Sequence, residues 1–293
     1  MSTWFNQSIM SIKIYNSMSR DLEEFVPQNP ENITMYVCGP TVYDTPHLGN
    51  ARPAVVFDVL FRLLRHTYGV NSVEYARNFT DIDDKIMARA LENGEDIYSL
   101  TERTIADYHS IMTNLSVLTP THEPRATQYM TSIKGAVAEL LLFGHAYSVD
   151  GHVLFDINSY PSHGILSGHK QEDLDAGHRV AVADYKRSAG DFILWKPSSD
   201  DQPGWDWATV GRGRPGWHIE CSAMIGEIFV YQTIDIHGGG ADLRFPHHDC
   251  EISQYGACNQ RPLANYWMHN AMVLVDGLKM AKSTDNFITV RNE

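Results

Sequence analysis

No stretch of this chain approaches the ~20 consecutive apolar residues that a membrane-spanning helix needs. Its first segment, Met1–Met10, has neither a basic start nor an apolar core, which excludes a secretion signal, and too little arginine for an organelle transit peptide. The cytoplasm is therefore the expected compartment. Cysteine is scarce: Cys38, Cys221, Cys250 and Cys258 are scattered, and a reducing compartment argues against disulfides, leaving metal binding or core packing. Positive charge is also short, with 23 Lys and Arg against 36 Asp and Glu and a net charge of −13. That excludes a surface that coats nucleic acid and leaves room only for a local basic groove. Internal repeats and low-complexity segments are absent.

What is present is ordinary for a globular protein: 293 residues, 43% hydrophobic, enough for one large or two modest domains. Ser11–Tyr15 and Ile33–Val37 read as strands. After the turn Pro46-His47-Leu48-Gly49-Asn50, the apolar residues Val55, Val56, Val59, Leu60, Leu63 and Leu64 recur at helical spacing up to about Tyr68, where Gly69 stops the helix. Val73–Ala76 reads as a strand, Ile86–Leu91 as a helix, and Ser99 to Glu102 as the capping box of another helix ending near Leu115. This βαβα rhythm predicts a doubly wound parallel sheet. The texture changes after Pro120. A helix ends at Gly144, Asp150-Gly151 joins a hairpin of Ala146–Val149 and His152–Phe155, and a polar stretch follows with one short apolar run, Phe192–Trp195. The span 118–215 reads as an insertion between residues 1–117 and 216–278, with 279–293 as a final loop. The α/β rhythm resumes with a helix at Trp217–Ile225, strands at Thr233–Ile236 and Ala271–Val275, and a helix at Phe245–Ala257.

Four stretches carry candidate chemistry. His247 and Glu251 stand at i, i+4 on one helix face, and Cys221 and Cys38 are further possible ligands. Donor strength prefers Cys250 to Glu251, since thiolate is the stronger zinc ligand; helical geometry argues the other way, because Cys250 lies one residue off the face shared by His247 and Glu251. A solvated helix start with two core cysteines is the plainer alternative. The turn with His47, Gly49 and Asn50 opens a helix and could meet a triphosphate through side chains and backbone N–H groups. Lys279-Met280-Ala281-Lys282-Ser283 is a basic loop after the Asp276-Gly277 turn. His237-Gly238-Gly239-Gly240-Ala241-Asp242 follows a strand, where α/β sheets bind ligands and glycines admit close approach.

Taken together and in this order, these stretches resemble the class I aminoacyl-tRNA synthetases, whose two hallmark motifs are approximated by His47-Leu48-Gly49-Asn50 and Lys279-Met280-Ala281-Lys282-Ser283. Within that class the chain resembles the cysteinyl-tRNA synthetases, through Tyr36–Asp44, Asn78–Ile86, Gly213–Met224, Asp235–Glu251 and Tyr266–His269. The resemblance covers about Ile12 to Val290. It implies a Rossmann-like parallel sheet with a connective insertion, and one zinc ion held by Cys38, Cys221, His247 and Glu251. It implies a cysteine pocket lined by Thr80, Trp217 and His237 with Asp242 nearby, and ATP, accompanied by magnesium, at His47, Gly49, Asn50, Lys279 and Lys282. His47, Asn50, Lys279 and Lys282 are the implied catalytic residues. In such a family the zinc takes the substrate thiolate, which separates sulfur from oxygen directly, whereas an apolar pocket rejects a one-atom analogue only ~10–200-fold.

The implied reaction activates L-cysteine to cysteinyl-adenylate and passes it to the acceptor end of tRNA(Cys), in a monomer. Asn50 stands where the first motif usually ends in His, Ala281 where the lysine motif usually has Ser, and Asp285 where Gly is usual. The family also continues past the lysine loop into helical and anticodon-binding domains. The chain is thus expected to be a catalytic portion; the alternative is a stand-alone cysteine-activating ligase with a carrier-protein or amino-sugar acceptor. Because a charge donor facing a developing phosphate charge contributes ~10²–10³ in rate, Lys282→Ala should slow cysteine-dependent ATP–pyrophosphate exchange by about that factor. Near-wild-type exchange would sink the assignment of the lysine loop.

Overall fold

A computed structural model describes residues 11–169, 184–280 and 286–290. Of the expected site residues, Lys282 lies outside the described residues, as do Ala281 and Asp285. The chain enters as an antiparallel hairpin, β1 (Lys13–Asn16) with β2 (Asp21–Glu24). The first segment is therefore not a strand of the central sheet, which begins with β3 (Ile33–Val37), although Asn16 and Ser17 hydrogen-bond to Asn265 and Trp267. Helix α1 (Leu48–Tyr68) follows, and Gly69, at φ 121°, ends it as its glycine predicts. Then come β4 (Val73–Arg77), α2 (Asp84–Asn93) and α3 (Ile97–Asn114). The cap of α3 is Asp96, whose carboxylate accepts from the N–H groups of Tyr98 and Ser99, rather than the expected box at Ser99.

Helix α4 (Met130–Leu142) leads into a four-stranded antiparallel sheet of β5 (Ala146–Val149), β6 (His152–Phe155), β7 (Phe192–Pro197) and β8 (Gly213–Pro215). Asp150 and Gly151 take φ of 47° and 76°, as the two-residue turn between β5 and β6 requires. Helix α5 (Trp217–Ile228) returns the chain to the parallel layer, followed by β9 (Ile234–Gly240), a π-type turn at Arg244–His248, α6 (Asp249–Asn259) and β10 (Ala264–Asn270). A short hairpin of β11 (Leu274–Val275) and β12 (Leu278–Lys279) closes the order. The expected strand at Ala271–Val275 is thus displaced: the sheet strand is β10, upstream. The expected helix at Phe245–Ala257 also starts later, because Phe245 is extended at φ −137°.

The central sheet is wholly parallel in the order β10-β9-β3-β4. Its middle strands are buried on both faces, as a sheet covered by helices on both sides demands. On one face, Phe57, Leu60, Phe61 and Leu64 of α1 pack on Ile33, Met35, Val37, Tyr75 and Ile236. On the other, α5 and α6 supply Met224, Ile225, Ile252 and Tyr255 against Tyr36, Ile234 and Trp267. Helices α5 and α6 are sunk so deeply that Ile219–Gly226 and Asp249–Tyr255 are buried all round. Polar side chains on these two helices therefore face protein, not water, and each needs a partner.

The strand ends approach one another closely. A Cβ added to Gly39 would lie 1.7 Å from the carbonyl oxygen of Asn78, just past the ends of β3 and β4. Gly39→Ala must push these ends apart and should cost roughly 1–3 kcal/mol, lowering the melting temperature by several degrees. Gly135→Ala is the control: Gly135 lies inside α4 with nothing within 4 Å of the added carbon, so stability should rise by about 0.5–1 kcal/mol. Equal melting temperatures for the two variants would refute this account of the sheet edge.

Candidate active site

At the C-terminal edge of the sheet, four segments converge. Cys38 follows β3, Cys221 projects from the first turns of α5, His247 is the penultimate residue of the π-type turn, and Glu251 stands one turn later in α6. All four are buried, from 0% to 7% exposed. Their donor atoms lie within 4.8 Å of one another. Cys38 Sγ is 3.7 Å from Cys221 Sγ and 3.3 Å from Glu251 Oε1, and His247 Nε2 is 2.9 Å from the same oxygen. A tetrahedral metal with bonds of about 2.3 Å to sulfur and about 2.0–2.1 Å to nitrogen or oxygen has edges of about 3.8 Å (S–S), 3.5 Å (S–O) and 3.3 Å (N–O). The quartet is thus close to the spacing of a four-coordinate metal site.

Electrostatics favour the same reading. Burial pushes the Cys38 thiol well above its usual range, and neighbouring Cys221 and Glu251 add to the rise. The hydrogen bond from Cys38 brings Cys221 down to about 6, against the opposing effect of burial. Burial disfavours charge on His247, but Glu251 and Cys221 outweigh it and raise His247 to about 10. Burial likewise opposes a charged Glu251, yet His237 and His247 hold it well below the carboxylate range.

A second set of buried donors, Cys38, His237, His248 and Glu251, overlaps the first. His237 Nε2 lies 2.5 Å from Glu251 Oε2, and His248 Nδ1 is 2.8 Å from His269 Nε2, whose other nitrogen reaches Ser17 Oγ at 2.8 Å. Having one sulfur instead of two, and that one the thiol with the raised pKa, it is the poorer site for a soft metal. His247 also has a partner behind it: its Nδ1 is 2.9 Å from Nδ1 of His218, whose pKa burial, then the charge of His247, lowers to about 3. A neutral imidazole there orients the ring that presents Nε2 to the quartet.

Of the residues expected to line an amino-acid pocket, Trp217, His237 and Thr80 stand beside this centre. Trp217 stacks on His247 with ring centroids 4.3 Å apart, and His237 is fully buried beside Glu251. Thr80 is buried past the end of β4, its hydroxyl donating to Glu220 Oε2 at 3.2 Å. Asp242 stands further out and pairs with Lys279 at 2.5 Å. Both groups are well exposed, so this pair contributes at most about 1 kcal/mol. Lys279 thereby reaches across from β12 to the end of β9. The glycine run Gly238-Gly239-Gly240 lies within β9 itself, not beyond it.

The stretch His47–Asn50, expected to meet the nucleotide, starts α1. The side chain of Asn50 accepts from the His47 N–H at 3.1 Å, which occupies its oxygen and leaves its NH₂ for an acceptor. A Cβ on Gly49 would come within 2.7 Å of the His47 ring, so glycine lets the imidazole fold over the first turn. Residues 286–290 run back along this turn: Leu48 N–H donates to Ile288 at 3.0 Å and Val290 N–H to Pro46 at 3.4 Å. Phe287 sits 6.3 Å from the His47 ring. Cys250, the alternative ligand considered from spacing, is buried in the core between α4, α5 and the insertion.

Sequence reasoning did not single out His218, His248, His269 and Glu220 as site residues, although His248 adjoins His247 and Glu220 adjoins Cys221. Adjacency was the available signal.

This architecture is that of a class I synthetase catalytic domain. Residues 24–293 match the family described as tRNA synthetases class I (C) catalytic domain, and the chain belongs to that family. It is 55% identical over 286 residues to a cysteine–tRNA ligase of Ruegeria pomeroyi, covering 96% of this chain and 61% of the relative. Against a cysteine–tRNA ligase of Saccharophagus degradans it is 56% identical over 284 residues, covering 97% and 61%. The chain thus spans about 61% of the length of these relatives. Among solved structures, Mycobacterium tuberculosis methionyl-tRNA synthetase in complex with methionyl-adenylate superimposes with a TM-score of 0.66 at 15% identity, over 88% of this chain and 60% of that one. A structure of the same enzyme bound by Met-AMP gives 0.63 at 14% identity, with the same coverage. At these identities the likeness concerns the fold. No helix among the described residues is long and apolar enough to cross a membrane.

The two donor sets make different demands on mutagenesis. Purified protein should carry about one equivalent of metal per chain by elemental analysis, and His247→Ala should remove most of it while His248→Ala keeps it. The reverse order would assign the metal to the second set, and full occupancy in both variants would discard both sets.

Proposed function

We propose that this chain activates L-cysteine with ATP to cysteinyl-adenylate and transfers the cysteinyl group to tRNA(Cys). The observation that carries the reading is the junction at the sheet edge, where Cys38 and the motif His47–Asn50 are separated by one short turn. A thiol-rich, buried donor quartet and a helix N-terminus suited to phosphate thereby share one cleft. The comparisons lend no support to a carrier-protein or amino-sugar acceptor.

In this reading Cys38, Cys221, His247 and Glu251 hold a zinc ion, a role that fits two sulfurs, an imidazole and a carboxylate at tetrahedral spacing. When bound, that zinc takes the substrate thiolate as an added ligand and so distinguishes cysteine from serine. Trp217 forms the apolar wall over the side chain, while Thr80, His237 and Asp242 supply the polar boundary of the pocket. His218 keeps the His247 ring in place from behind. The carboxylate of cysteine then faces the α-phosphate of ATP laid across the N-terminus of α1.

Attack on that phosphate needs no protein nucleophile; it needs alignment and cations or N–H groups where charge gathers. The α1 N-terminus, His47, the NH₂ of Asn50, Lys279 and Lys282 provide these, with magnesium accompanying the triphosphate. In the structure described, Leu48 N–H is taken by Ile288 and Lys279 by Asp242, so the triphosphate competes with both contacts. We further propose that 1–117 and 216–278 act as the halves of the catalytic domain, that 118–215 is a connective insertion, that 279–293 is the lysine loop and chain end, and that the setting is the cytoplasm.

The test is amino-acid-dependent ATP–pyrophosphate exchange followed by charging of tRNA(Cys). Cysteine should support exchange and serine should not, and labelled cysteine should then appear on tRNA(Cys). Exchange with a different amino acid, or none, overturns the activation step; exchange without charging overturns tRNA as the acceptor.

A further inference from the structure

We infer that Glu220 is a positioning residue that sets the hydrogen-bond polarity of Thr80, so that Thr80 reads the ammonium group of the amino-acid substrate. This rests on the reading above that cysteine is the amino acid bound.

Glu220 faces the site by helical geometry. Trp217, Glu220 and Cys221 stand at i, i+3 and i+4 of α5 and so share one face. Trp217 stacks on His247 and Cys221 belongs to the donor quartet, so the carboxyl between them is directed to the same place. Thr80 meets it from the sheet. The backbone of Thr80 is pinned beside Cys38: its N–H donates to Pro40 at 3.1 Å and its carbonyl accepts from Val42 at 3.1 Å. Its remaining freedom lies in the hydroxyl, which donates to Glu220 Oε2.

A hydroxyl has one hydrogen and two lone pairs. Once the hydrogen is given to Glu220, Oγ1 can only accept from anything else in the pocket. An ammonium group can only donate. The pair is therefore matched to an amino acid and mismatched to a ligand that brings an acceptor to that position. With Glu220 ionised, or with its proton on the unpartnered Oε1, Oε2 is an acceptor and the Thr80 hydrogen stays on it.

The other oxygen of Glu220 speaks against a scaffold role. Glu220 is 1% exposed, yet Oε1 has no hydrogen-bond partner among the described residues. Buried carboxyls kept for architecture have their oxygens satisfied, because an unmet buried acceptor is costly. One hydroxyl partner and one open oxygen suit a group whose surroundings are completed by a ligand or its water.

The test separates the ammonium from the thiol. 3-Mercaptopropionate has the thiol and carboxylate of cysteine and lacks the ammonium, and it serves as a competitive inhibitor of exchange. Glu220→Met should raise KM for cysteine about 10- to 100-fold. The inhibition constant of 3-mercaptopropionate, KM for ATP and metal content should stay within about twofold of wild type. Glu220→Gln, which retains an acceptor oxygen, should restore most of the cysteine affinity. The Thr80→Val/Glu220→Met pair should be no worse than Thr80→Val alone, since both act through one hydroxyl. If Glu220→Met does not fold, Glu220→Asp, which withdraws the carboxyl by one methylene, should give the same selective loss at smaller size. Parallel weakening of cysteine and 3-mercaptopropionate, no change in KM for cysteine, or additive losses in the double variant would each overturn the inference. Absence of cysteine-dependent exchange in the wild type would instead overturn the reading on which it rests.

Discussion

Two thiols, an imidazole and a carboxylate with donor atoms within 4.8 Å of one another in a buried interior set the terms for the rest of this molecule. Such a cluster is unfavourable unless something cationic neutralises it, because desolvated charges are costly in isolation and strong when paired. Here the sulfurs face each other at 3.7 Å, and Glu251 is flanked by the imidazoles of His247 and His237. The four donors come from a strand end, two helices and a π-type turn, so none of those elements can shift without disturbing the others. The near-complete burial of α5 and α6 follows from the same requirement. Their ligand-bearing faces must be kept from water, and the surrounding helix surface is covered as well.

The parallel sheet supplies the place where this can happen. Because β3, β4 and β9 run in one direction, their C-terminal ends lie side by side and deliver Cys38, Thr80 and the glycine run of β9 to one edge. The N-terminus of α1 follows β3 by a short turn and opens at that edge too. The buried donor cluster and the helix start proposed to meet phosphate are therefore adjacent through topology, because Cys38 and the α1 N-terminus both follow β3. Closure comes from the far end of the chain, where residues 286–290 pair with the first turn of α1 and Lys279 reaches Asp242.

Much of this was legible in the residues. The strand, turn and helix around His47, the stop at Gly69 and the Asp150-Gly151 turn follow from local rules that tertiary context did not override. The strand β10 was not legible. Ala271–Val275 is the more apolar run and drew the assignment, whereas Ala264–Asn270 is mixed in polarity because it lies at the sheet edge, where only some positions are buried. The cap of α3 moved to Asp96 because a carboxylate able to reach two N–H groups outcompetes the later serine. The metal donors posed a harder problem: Cys38 and Cys221 are 183 residues apart, and no spacing rule pairs them. A family resemblance named the quartet; helical spacing alone preferred Glu251 over Cys250 but could not decide it. His218 and His269 are brought behind the site by packing between distant segments, which leaves no periodic trace, whereas Glu220 shares the helix face of Trp217 and Cys221 and was passed over.

The order of the ligands along the chain has a consequence for synthesis. Cys38 is made early, and Glu251, the last of the four, comes 213 residues later. At about 5–20 residues per second, roughly 10–40 s pass before the set is complete. For that interval β3 lacks β9, its neighbour in the sheet, and the Cys38 thiol waits without its partners. A nascent chain of this kind is most open to oxidation, or to capture of a stray metal, while it is still on the ribosome. The finished protein, with the same sulfur buried among four segments, offers no comparable opening.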